Sequence, residues 1–151
     1  MANHDHQLRV INGLIETTID SVEGYREAAR EVQNSTFRTL FERRASERQA
    51  AVAGLQAYVV SQGGKAEDEG TILASAHRVF VDLRASLTKG DEAVVKEVER
   101  GEDHIKHKYE DALKDAELAG SARDTVDKAF ASVRAGHDEM SRLKHGLEGL
   151  H

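Results

Sequence analysis

Residues 91–119 read DEAVVKEVERGEDHIKHKYEDALKDAELA. Asp91 is an N-cap residue type, and behind it Val94, Val95, Val98, Ile105, Tyr109, Ala112 and Leu113 recur at three- and four-residue steps. That spacing is the apolar stripe of a bundle helix with one face buried. One position breaks the stripe. In Val98-Glu99-Arg100-Gly101-Glu102-Asp103-His104, Glu102 stands where a leucine would pack. A buried carboxylate is costly unless something neutralises it, so this helix marks both the fold and the place where the fold carries charge.

The same period runs through the rest of the chain. Leu8, Ile11, Ile15, Ile19, Val22, Ala29 and Val32 predict a first helix over residues 6–33, with Asn3 or Asp5 as N-cap. Phe37, Leu40, Phe41, Ala45, Ala51, Val52, Leu55, Tyr58 and Val59 predict a second over 36–61, capped by Ser35. Residues 62–70, QGGKAEDEG, form a loop that opens with a glycine stop. Ile72, Leu73, Ala76, Val79, Phe80, Leu83 and Leu87 predict a third helix over 71–88, and 92–119 supplies the fourth. After Gly120-Ser121, the residues Val126, Val133, Met140 and Leu147 stand at seven-residue intervals, a weak heptad seam interrupted by Gly136 and His137. The expected architecture is all-α: a four-helix bundle over residues 1–120, then an amphipathic fifth helix over 121–151 that packs on the bundle or on a partner subunit.

Composition narrows the function classes. The 151 residues contain no proline and few aromatics, which suits long uninterrupted helices and not strands. The net charge of −6, with both signs interleaved, speaks against nucleic acid as partner; the densest basic cluster, Arg43-Arg44 with Arg48, is broken up by Glu42 and Glu47. The absence of cysteine removes disulfides, thiolate metal sites and thiol nucleophiles. No run approaches the roughly 18 apolar residues of a membrane span, and the first residues have no signal-peptide pattern; a soluble, cytoplasmic chain is expected.

Helices of these lengths pack with their midpoints level, near Asp20, Gln49, Val79 and His104. Arg44, Glu47 and Arg48, then His77, then Glu99 and Glu102 therefore share one layer, and two readings of it compete. In the first, Glu102 is neutralised by the inward arginines Arg44 and Arg48 as a buried ion-pair layer. In the second, Glu23, Glu47, His77, Glu99 and Glu102 converge on iron or manganese, as carboxylates and histidines do in dimetal bundles. No Glu-x-x-His occurs in the four bundle helices; the one match, Glu148 to His151, lies at the chain end. His104 and His107 fall on the water-facing side, His4 and His6 on the terminus, and Tyr25, Tyr58 and Tyr109 read as core residues with hydroxyls at the rim.

The run from Leu14 to Ala29, LIETTIDSVEGYREAA, resembles the opening of a bacterial family of ferritin-like four-helix-bundle proteins of unknown function. Glu47-Arg48, Gly63-Gly64, His77-Arg78, Glu99-Arg100-Gly101-Glu102-Asp103 and Tyr109-Glu110 are similar to its later landmarks, so the resemblance spans roughly residues 8–119. It implies a ferritin-like bundle in a bacterial cytoplasm, with no catalytic residue to carry over, and its kinship to ferritins draws attention to metal. A ferritin-like topology needs a long crossover between helices two and three, whereas the nine-residue loop also suits an up-down-up-down bundle. The expected function is a non-enzymatic, stress-associated structural protein that forms homo-oligomers. The alternative is an iron or manganese carboxylate protein with an oxidase, peroxide-scavenging or metal-buffering role.

Overall fold

The structure, a computed structural model, describes residues 2–70 and 90–148. Among them lie four helices: α1 Ala2–Glu31, α2 Ser35–Ser61, α3 Asp91–Leu113 and α4 Gly120–Glu148. The helix expected over 71–88, with His77 on it, falls outside the described residues. α1 and α2 form one hairpin, α3 and α4 another; α1 packs beside α3, and α2 beside α4.

The hydrogen bonds at the two ends fix the directions. The backbone N–H groups of Gln33 and Asn34, in the α1–α2 turn, donate to the Asp91 carboxylate at the start of α3 (2.9 and 2.8 Å). At the opposite end Gln7 donates to the Glu117 carbonyl, and the His4 ring meets the carbonyl of Gln62. α2 and α3 therefore run parallel, with the end of α2 and the start of α3 at opposite ends of the bundle. Parallel α2 and α3 suit ferritin-like topology and not up-down-up-down. The C-terminal helix expected over 121–151 is α4, packed into the bundle with Val126, Val133 and Met140 fully buried, and it is the fourth helix among the described residues.

Local signals account for the helix ends, with some revisions. Asn34, not Ser35, caps α2, its side chain accepting from the N–H groups of Thr36 and Phe37. Asp91 is taken up by the α1–α2 turn and does not cap α3. α2 ends at the foreseen glycine: Gly63, at φ 80°, donates to the Val60 carbonyl and Gly64 to that of Val59, a Schellman closure. α1 starts earlier than expected, placing Asp5 in its first turn, where a carboxylate favours the helix dipole. α3 stops at Leu113 and not near residue 119; Asp115 accepts from the Glu117 N–H in the turn, and Gly120, at φ 60°, opens α4.

Two apolar clusters fill the bundle. Ile11, Leu14, Ile15, Leu55, Ile105 and Leu118 belong to the one at the end where α1 begins. Tyr25, Phe41, Ala45, Val94, Val95 and Met140 belong to the one at the other end. A polar waist separates them.

Candidate functional site

The waist is built from one residue type out of place on each of two stripes. On α2, Phe41, Ala45, Val52, Leu55 and Val59 are buried, and Arg48 lies on the same line, so its side chain has nowhere to go but inward. On α3 the same holds for Glu102, between Val95 and Ile105. Arg48 is 0% exposed and Glu102 2%. Two charges this deep are stable only in good mutual geometry, and they have it. Arg48 Nη1 and Nη2 donate to Glu102 Oε1 and Oε2 at 2.8 Å each, a parallel fork. Nη1 also donates to Ser21 Oγ on α1 at 2.5 Å. The guanidinium carbon stands 5.5 Å from the centre of the Tyr25 ring, within cation–π range.

α4 contributes an absence of side chain. A Cβ on Gly136 would lie 2.5 Å from Arg48 Nη2 and 2.8 Å from Glu102 Oε2. The glycine that breaks the heptad seam is therefore what lets α4 close over the ion pair.

The electrostatics keep the guanidinium charged and the buried tyrosines neutral. Burial works to lower the Arg48 pKa, but the hydrogen bonds and charge of Glu102 outweigh it, and the guanidinium is held above its ordinary value. Burial, then the Glu102 charge, pushes the Tyr25 hydroxyl well above its usual range. One step along the axis, Tyr109 OH and Thr18 Oγ1 share a hydrogen bond of 2.8 Å, and burial leads in pushing Tyr109 up to about 12. Tyr25 and Tyr109 thus bury their hydroxyls fully and do not present them at the rim; Tyr58 OH, by contrast, is an exposed bond to Ser121.

Arg44 does not join Arg48 inside. It lies at the rim, where Nε donates to Glu139 at 2.7 Å and Nη1 to Glu47 at 2.8 Å. A second polar group occupies the α3–α4 flank. His137 Nε2 lies 2.6 Å from Asp103 Oδ1, Lys144 Nζ lies 3.4 Å from Glu99 Oε2, and ligand atoms of Glu99, Asp103 and His137 all fall within 4.8 Å of one another. His6, Asp115 and Glu117 form a similar, more open group at the end of the bundle, where the His6 hydrogen bond holds Asp115 below the usual carboxylate range.

The five candidate ligands part company. Glu102 is locked to Arg48, and Glu99 belongs to the flank. Glu47 is exposed with Arg44, Glu23 is exposed with Arg26, and His77 lies outside the described residues. The sequence pattern does not single out Ser21, Tyr25, Gly136, Asp103 and His137 as site residues, although the heptad break at Gly136-His137 is a signal for two of them. A carboxylate-bridged dimetal centre takes an inward carboxylate from each of four helices, with a histidine one turn on from two of them. Among the described residues the inward groups are Ser21 and Tyr25, Arg48, Glu102, and Gly136. One carboxylate, already doubly bonded to a guanidinium, does not fit that centre. The flank does offer carboxylate and imidazole donors that could hold a metal ion.

Comparison with known proteins places the geometry in context. The sequence pattern of a family described as "Domain of unknown function (DUF2383)" matches residues 6–115. No curated protein sequence matches. A solved structure described as ferritin-like, diiron-carboxylate proteins from Bacillus anthracis str. Ames is similar in fold, with a TM-score of 0.73 at 13% identity over 95% of this chain and 99% of that one. No helix among the described residues is long and apolar enough to cross a membrane.

Proposed function

The chain belongs to the DUF2383 family, and from that premise we propose that it is a non-enzymatic structural protein on a ferritin-like bundle, working in the cytoplasm as a stress-associated homo-oligomer. The observation that carries the reading is the Arg48–Glu102 fork: the carboxylate that a dimetal centre would need is neutralised by the chain's own guanidinium. The waist is shut from water, so it exposes no acid, base or nucleophile to a substrate. Because Val126, Val133 and Met140 are spent inside the bundle, self-association would run through the outer helix faces. Elemental analysis of protein purified without added metal tests the reading. Iron and manganese well below one atom per chain are expected; two atoms per chain would overturn it.

The Glu99, Asp103 and His137 group favours a second reading, an iron or manganese carboxylate protein with a metal-buffering, oxidase or peroxide-scavenging role. It holds three donors, a set for one ion and not two. One atom per chain, lost on His137→Ala and kept on Glu102→Gln, would establish it over the first.

A further inference from the structure

We infer that the waist is a cation site whose cation the chain itself supplies, the Arg48 guanidinium, and that Gly136 is the positioning residue that keeps room for it. The inference rests on the metal-free reading of the waist and goes further, in assigning to Glu102, Ser21 and Tyr25 the binding of a planar organic cation.

Each wall of the site does a separate task in holding such a cation. Glu102 presents both carboxylate oxygens in the plane of the fork, a match for guanidinium that no spherical ion has. Ser21 Oγ accepts a third N–H, and the Tyr25 ring lies alongside at 5.5 Å, the distance at which an aromatic face attracts a cation. The Tyr25 hydroxyl and Arg48 Nε are buried without a hydrogen-bond partner, so the fit is built around the two terminal nitrogens and the ring, with those groups left over. The fourth wall is backbone. A glycine inside a helix is unfavourable relative to alanine, and here it sits on a face whose neighbours Val133 and Met140 are fully buried. The close approach of Nη2 and Oε2 to its missing Cβ is the reason for it. With a single carboxylate among the described residues, the same walls are poor ligands for a divalent metal.

Arg48→Ala would leave the three binding groups in place and remove the tethered cation. Its thermal midpoint should rise by about 5 °C on adding about 10 mM guanidinium chloride, far below the molar range in which that salt denatures. The parent protein should not respond, nor should Arg48→Ala combined with Glu102→Ala, and manganese chloride in place of guanidinium should give no comparable rise. Absence of a guanidinium response, an equal response without Glu102, or an equal response to manganese would overturn the inference. Metal content of the parent protein tests the premise separately. If Arg48→Ala does not fold, two glycine variants decide: Gly136→Ala should lower the midpoint, whereas Gly101→Ala, with nothing within 4 Å of its Cβ, should raise it. Shifts of the same sign would overturn the inference.

Discussion

Glu102 and Glu99 lie one turn apart on α3, both among the buried residues, and they meet opposite kinds of partner. Glu102 has a guanidinium fork at 2.8 Å on both oxygens and a closed wall behind it. Glu99 has one lysine ammonium at 3.4 Å and opens toward Asp103 and His137 at the surface. The difference shows that burial alone does not make a carboxylate a metal ligand. A carboxylate whose lone pairs are committed to a fixed guanidinium is a structural group, while one held loosely beside an imidazole keeps donors to offer.

The largest test of that contrast is to cut each carboxylate in turn. Glu102→Ala leaves Arg48 buried and unpaired and should cost about 3–5 kcal/mol in urea unfolding. Glu99→Ala, losing one long contact to a partly exposed lysine, should cost no more than about 1 kcal/mol. Equal losses would erase the distinction.

A smaller effect separates the two regions at alkaline pH, since the axis buries tyrosine hydroxyls and the flank does not. Tyr109 is raised from 10.0 to about 12. Its neutral form is the one the fold favours, so the stability it supports is complete below pH 10 and is lost as pH rises through about 12. The loss should be about 2–3 kcal/mol, followed by urea midpoints across that window, and Tyr109→Phe should remove it.

Next in size comes Gly136→Ala. Overpacking against the ion pair should cost about 1–3 kcal/mol by chemical denaturation, against a gain of about 0.5–1 kcal/mol for Gly101→Ala on the open face of α3. The smallest effect is at the rim. Burial acts to raise Glu139, but the hydrogen bond and charge of Arg44 prevail and hold it below the usual carboxylate range. Its contribution is therefore present above that range and lost as pH falls through it. Arg44→Ala should remove no more than about 1 kcal/mol of acid-sensitive stability, measured between pH 5 and pH 3.

The sequence made some of this plain and hid the rest for physical reasons. Arg48 and Glu102 were legible because each interrupts a regular apolar stripe, and helical period alone puts them inside. Arg44 was misplaced because one step of four residues turns the helix by about 40°, enough to move a long side chain from the core to the rim. The role of α4 was obscured by Gly136: on its own helix it weakens the seam, and its reason lies on α2 and α3. The direction of α3 could not be read either, because an apolar stripe looks the same from both ends; the Asp91 bonds to the α1–α2 turn settle it. His137 and Asp103 lie 34 positions apart in the chain and come together only once α3 and α4 pair.

A double-mutant cycle between Arg48 and Glu102 tests the claim that the chain neutralises its own waist most directly. Arg48→Met and Glu102→Leu should each be strongly destabilising alone, because each strands a buried charge, while the pair together should recover most of the loss, with a coupling energy of about 2–3 kcal/mol or more. Losses that simply add would mean that the two side chains do not depend on each other, and would contradict the account.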